Sequence, residues 1–98
     1  MKYAIAFDLD TEALSRAYDR ANYTNAYGEI KNILLNAGFV HQQGSVYFGD
    51  ETVDAVKTVM VVQKLARKLP WFVTCVRDIR MLRIEDDNDL LPAIQNND

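Results

Sequence analysis

The sequence predicts an α+β domain of ferredoxin-like βαββαβ order, an antiparallel sheet with two helices on one face and a short C-terminal extension. Three observations predict it. Residues 2–9 alternate in polarity as a strand does. Two stretches, from about residue 25 to 37 and from 53 to 69, carry apolar residues at spacings of three and four. Short segments at 39–42, 45–48 and 79–84 read as extended, the second rich in β-branched and aromatic residues and the third alternating.

The first strand sets Tyr3, Ile5, Phe7 and Leu9 against Lys2, Ala4, Ala6 and Asp8. The small alanines imply a second face that is also partly covered, as in a central strand. Residues 11–24 are polar and irregular, with helix-forming composition from Glu12 to Arg20 that can hold a turn or two. In the first long helix Tyr27, Ile30, Leu34 and Ala37 mark the apolar side, and Gly38 comes next, where a helix end favours glycine. The chain then makes a hairpin, with Gly44 as its turn or bulge. Asp50 or Thr52 is expected to cap the second long helix, with Glu51 and Asp54 favourable for its dipole, and Pro70 ends it. Residues 71–76 read either as a helical turn or as the start of a strand. Residues 79–84 are the last strand, and 88–95 form either a terminal helix with Asp89 as cap or an edge strand.

With 98 residues, 49% hydrophobic and 26% charged, the chain has the content of one globular unit, and residues 1–98 are read as a single domain. No apolar run is long enough for a bilayer span, and the N-terminus lacks signal-peptide character, which predicts a cytoplasmic protein with no membrane partner. Cys75 is the only cysteine, so there is no internal disulfide and no thiolate pair for a metal. The net charge of -3 conceals an uneven distribution. Lys64, Arg67, Lys68, Arg77, Arg80 and Arg83 are opposed within their segment by Asp78 alone, whereas everything charged after Arg83 is acidic. The basic segment can contact phosphates, or it can pair with the acidic tail, which would then compete with a nucleic acid.

The motif AFDLDT at residues 6–11 is similar to the aspartate pair of haloacid-dehalogenase phosphatases, but those enzymes need a larger domain with later lysine and acidic motifs. Two carboxylates at a strand end can hold a divalent cation such as Mg2+, or one can act as a base; alternatively Asp8 takes loop hydrogen bonds and Asp10 caps the adjoining segment. His41, beside two glutamines, reads as a surface strand residue. Ser45 and Tyr47 carry hydroxyls able to contact phosphate. Tyr23 and Tyr27 read as core packing. On an extended strand Arg77 and Arg83 point to one face and Arg80 to the other.

YAIAFDLDT at 3–11, NAYGEI at 25–30, QGSVY at 43–47 and VRDIRMLRIED at 76–86 together resemble the VapD (virulence-associated protein D) family over nearly the whole chain. That resemblance implies a ferredoxin-like fold similar to the second CRISPR-associated Cas protein, a homodimer, and a toxin-type endoribonuclease cleaving single-stranded RNA or mRNA, with a small antitoxin protein as partner in some members. It implies catalysis at Asp8, and at Ser45 through the glycine-serine pair of the hairpin. Arg77, Asp78 and Arg80 match its VRDIR block, which either binds RNA phosphate or forms an internal ion-pair network, and Tyr47 adds its hydroxyl as an RNA contact; any metal would fall on Asp8. Two mechanisms are then open: a divalent ion at Asp8 activating water, or a metal-independent attack by the ribose 2′-hydroxyl with Asp8 as base. The rival from another class is a non-catalytic dimeric RNA-binding or assembly module.

Overall fold

A computed structural model of the chain describes residues 2–18 and 23–95. The elements run β1 (Lys2–Leu9), α1 (Thr11–Ala17), α2 (Asn25–Asn36), β2 (Phe39–Gln43), β3 (Val46–Gly49), α3 (Ala55–Lys68), α4 (Phe72–Cys75), β4 (Val76–Ile84) and α5 (Leu91–Gln95). The four strands form one sheet in the order β2-β3-β1-β4, antiparallel throughout. This is the split arrangement that the element order predicts. Among the described residues no helix is long and apolar enough to cross a membrane.

The alternation in β1 divides the sheet into two unlike faces. Ile5, Phe7 and Leu9, with Phe39 and Tyr47 from the hairpin, join Ile30 and Leu34 of α2 and Val61 and Leu65 of α3 in the core. The other face carries Ala4 opposite Phe48 and Leu82, and Ala6 opposite Val46 and Arg80. Neither long helix covers this open face. The alanines are shielded by the larger cross-strand neighbours, while Val40 and Leu82 on the same face are exposed.

Several local expectations meet a definite outcome. Asp10 caps α1, its Oδ1 accepting the Glu12 and Ala13 N–H groups at 3.0 and 3.1 Å. The helix-forming stretch expected up to Arg20 ends on residues 19–20, outside the described residues. The cap of α3 is neither Asp50 nor Thr52 but Asp54, which accepts the Lys57 N–H at 2.7 Å. Asp50 instead turns on its own loop, accepting the Thr52 N–H at 2.8 Å, so the chain makes an Asx turn before the helix starts. Residues 71–76 contain both alternatives: one helical turn at α4, then β4 from Val76, three residues before the periodicity predicts it. The terminal segment is helical at α5, with Asp89 accepting the Leu91 N–H at 3.0 Å. Gly38 takes a φ of +97°, the left-handed conformation that ends α2, and an added Cβ there would crowd the Asp50 carboxylate at 3.2 Å.

Candidate active site

The sheet ends where β1 runs into α1, and there the chemistry-bearing residues of the first and last strands converge. Asp8 lies opposite Asp78 in the β1–β4 ladder, both on the open face. Between Asp8 and Leu9 the register shifts, so Arg77 is the extra residue of a β-bulge between Val76 and Asp78. A bulge re-aims its side chain. Strict alternation would put Arg77 on the face of Arg83; instead its guanidinium lies 3.9 Å from an oxygen of Asp8 and 3.9 Å from Oδ1 of Asp10. The backbone closes the same corner, since Asp10 N–H donates to the Cys75 carbonyl at 2.8 Å.

All three charged side chains are well exposed, so their mutual attraction is screened and adds little to stability. Their value is positional. The Ala13 N–H holds the Asp10 carboxyl below the ordinary carboxylate range, with Arg77 and the Glu12 N–H acting in the same direction. Asp10 is thereby committed to capping α1 and steering Arg77, which leaves Asp8 as the carboxylate facing solvent. Tyr27, in the first turns of α2, is half-buried; burial pushes its hydroxyl above the usual value, and Tyr23 and the charge on Asp8 do the same. These tyrosines pack against the core as expected, and Tyr27 is also near enough to Asp8 to feel its charge. The first turn of α2 has no acidic residue, and Thr24 makes no side-chain cap.

The other expected site residues divide. Ser45 sits at the hairpin turn, its carbonyl accepting the Phe7 N–H at 3.1 Å, one residue from Asp8 along the sheet. Its position opposite Phe7 directs its side chain to the helix-covered face, whereas Asp8 points the other way. Arg80 is on the Asp8 face, its Nε donating to both Asp78 oxygens at 3.3 and 3.2 Å. Tyr47 is a core residue at 3% exposure, its ring stacked on Phe7 at 6.2 Å and on His41 at 4.6 Å. Burial raises the pKa of its hydroxyl. Tyr47 therefore offers no ring to a nucleic acid. His41 is exposed, with Nε2 2.7 Å from the Gly44 carbonyl oxygen, and serves the hairpin. The acidic tail reaches the far end of the sheet: Glu85 pairs with Arg83 at 3.6 Å and Asp87 with Lys2 at 3.8 Å, both away from Asp8.

Sequence reasoning singled out Asp8 and Arg77 but not the opposition of Asp8 to Asp78. Asp78 is visible in the VRDIR block, yet only the pairing register brings it across from Asp8. Among the described residues no group of three or more histidine, cysteine or acidic side chains is arranged to hold a metal ion. Asp8 and Asp78, opposite in the ladder, are the two carboxylates that would hold a divalent ion here, with Asp78 already accepting from Arg80.

The sequence model of the family described as CRISPR associated protein Cas2 matches residues 1–90. Endoribonuclease VapD 2 of Riemerella anatipestifer is 55% identical over 92 residues, covering 94% of this chain and 98% of that one. An endoribonuclease VapD homolog of Helicobacter pylori is 50% identical over 93 residues, 95% of this chain and 96% of its own. Endoribonuclease VapD of Dichelobacter nodosus is 38% identical over 93 residues, covering 95% and 97% of the two chains. With these matches running through the Asp8 corner and the whole sheet, the chain belongs to the Cas2 family, among its VapD members.

Proposed function

We propose that the chain is an endoribonuclease that cuts single-stranded RNA, mRNA included, as the toxin of a toxin–antitoxin pair in the cytoplasm. The observation that carries this reading is the Arg77 guanidinium held 3.9 Å from Asp8 at the open end of β1. A carboxylate and a cation so placed can serve one phosphodiester between them. Asp8 takes the proton of the ribose 2′-hydroxyl, O2′ attacks phosphorus, and the 5′-oxygen leaves with a proton from solvent. Arg77 offsets the charge that builds on the phosphoryl oxygens. The product is a 2′,3′-cyclic phosphate, and DNA, lacking the hydroxyl, is spared. Arg80, on the same face as Asp8, serves as a nearby contact to the RNA backbone. A divalent cation, where supplied, would be held by Asp8 and Asp78 and would add charge neutralisation at the phosphate.

The open sheet face supports a homodimer. Its Val40 and Leu82 are exposed apolar side chains, and the exposed Leu90, Leu91 and Ile94 line a groove shared with Val46 and Phe48. Gln42, Gln43, Asp87, Asn88 and Asp89 complete that groove, so apolar side chains sit in it among polar ones, as at an interaction site.

The test is incubation of wild type and Asp8→Asn with end-labelled RNA and with DNA of the same sequence, with magnesium or with chelator. Cleavage of RNA alone by wild type, lost in Asp8→Asn, with a cyclic phosphate end that forms in chelator, is the expected result. RNA that is bound by both proteins and shortened by neither would assign the chain to the binding-module class.

A further inference from the structure

Arg80 and Arg83, prominent in the sequence, are each matched by an acidic neighbour in the structure, Asp78 at 3.2 Å and Glu85 at 3.6 Å. Arg77 is shared between Asp8 and Asp10. The strand that looks most basic is therefore locally close to neutral. The unmatched charge lies elsewhere. From Ala55 to Arg77 the sequence holds Lys57, Lys64, Arg67, Lys68 and Arg77 and no acidic residue. Lys57 is drawn to the Asp50 turn, its ammonium 3.4 Å from Thr52 Oγ1. Lys64, Arg67 and Lys68 are exposed and form no ion pair among the described residues.

These three occupy the last turns of α3 at positions i, i+3 and i+4, so they share one side of the helix within about 6 Å of rise. The α3–α4 connection fixes their place in the fold. Leu69 ends α3, Trp71 leads into α4, and α4 ends at Cys75, whose carbonyl accepts the Asp10 N–H. The Trp71 ring meets Tyr18, just after α1, edge-on at 5.7 Å. The cluster thus sits at the Asp8 end of the molecule, Lys68 no more than about 25 Å of extended chain from Cys75. Trp71, between the two in sequence, is partly exposed, with its ring also edge-on to Phe72 at 6.1 Å. Cations interleaved with an aromatic ring are what a sequence-tolerant single-strand surface requires, backbone phosphates on the former and a base on the latter.

We propose that Lys64, Arg67, Lys68 and Trp71 form a track for single-stranded RNA that leads to Asp8. The proposal rests on the endoribonuclease reading and adds to it the path of the strand, which leaves Arg77 and crosses α4 to the end of α3. The track supplies affinity and salt dependence, and Asp8 with Arg77 supplies the chemistry.

Trp71 is the only tryptophan, so its fluorescence reports on the track directly. A short single-stranded oligoribonucleotide is titrated into the Asp8→Asn protein, which holds it uncut, at several salt concentrations. Quenching is expected, with the slope of log K against log salt smaller by about 2 when Lys64, Arg67 and Lys68 are all changed to Gln. Affinity at low salt falls roughly tenfold or more. Lys64→Arg with Lys68→Arg restores both, and Lys2→Gln, at the opposite end of β1, leaves them unchanged. Full affinity and slope in the folded triple variant would overturn the track, and so would equal displacement of RNA by polyglutamate, which would assign the surface to an acidic protein. If wild type cuts RNA and the triple variant keeps its KM, the track fails while the chemistry stands. If wild type cuts nothing yet binding depends on the three cations, the endoribonuclease reading fails while the track stands.

Discussion

Asp8 and Asp78 stand opposite one another across β1 and β4, two carboxylates on the open face of the sheet, each with an arginine drawn to it. Like charges placed directly across a strand pair work against the fold. Folding has no use for the arrangement, and the two arginines only moderate it.

Replacing one of the pair therefore separates activity from stability. Asp8→Asn is expected to lower kcat by about a hundredfold to ten-thousandfold, the usual contribution of a general base. Its urea unfolding midpoint should match wild type or exceed it by the equivalent of about 0.3 kcal/mol. A clearly destabilised Asp8→Asn protein would place Asp8 among the residues that hold the fold.

Arg77→Gln is expected to reduce kcat about as strongly as loss of a single charge-stabilising group does, roughly a hundredfold, with a smaller effect on RNA affinity. Steady-state kinetics separates the two. An effect confined to KM would make Arg77 a binding residue.

Gly49 is a site of close approach. A Cβ built there lies 2.8 Å from Val53 Cβ and 3.2 Å from the Tyr3 carbonyl oxygen. Gly49→Ala should cost about 1–3 kcal/mol of unfolding free energy, as overpacking does. Val53→Ala in the same chain should recover part of that loss, which chemical denaturation of the single and double variants will show.

The cap of α3 gives an independent check. Asp54→Ala should cost about 1 kcal/mol because its carboxylate accepts the Lys57 N–H. A loss as large from Thr52→Ala, with none from Asp54→Ala, would return the cap to the position the sequence favoured.

Acid sensitivity has two identified sources. Asp10, through the Ala13 N–H, and Asp50, through the Thr52 hydroxyl and N–H, are held below their unfolded value of 3.8. A depressed carboxylate contributes stability that is fully present above the unfolded pKa and lost as pH falls through the folded one. Between pH 5 and acid below that range, wild type should lose more thermal stability than Asp10→Asn/Asp50→Asn, measured by melting across that interval.

Much of the fold is legible in the sequence. Alternation marks β1, spacing marks α2 and α3, and Asp10 is readable as a cap because its carboxylate acts on neighbours two and three residues away. Local rules fail where geometry depends on distant pairing. The bulge at Arg77 depends on how β4 meets β1, and no alternation along β4 alone reveals it. Tyr47 looks available because its hydroxyl is polar, yet its place opposite Ile5 puts the ring in the core. Asp54 displaces Asp50 as cap because the Asx turn at Asp50 uses up that carboxylate first.

The β1–β4 ladder joins Lys2 to Ile84 and Asp8 to Asp78, pairing the first strand of the described residues with the last. A sheet closed by its first and last strands is a long-range contact that forms late. While the chain is emerging from the ribosome, Asp8 has no Arg77 beside it. The corner proposed to cut RNA is assembled only once β4 has paired with β1, so a segment that lacks β4 carries Asp8 without its cation.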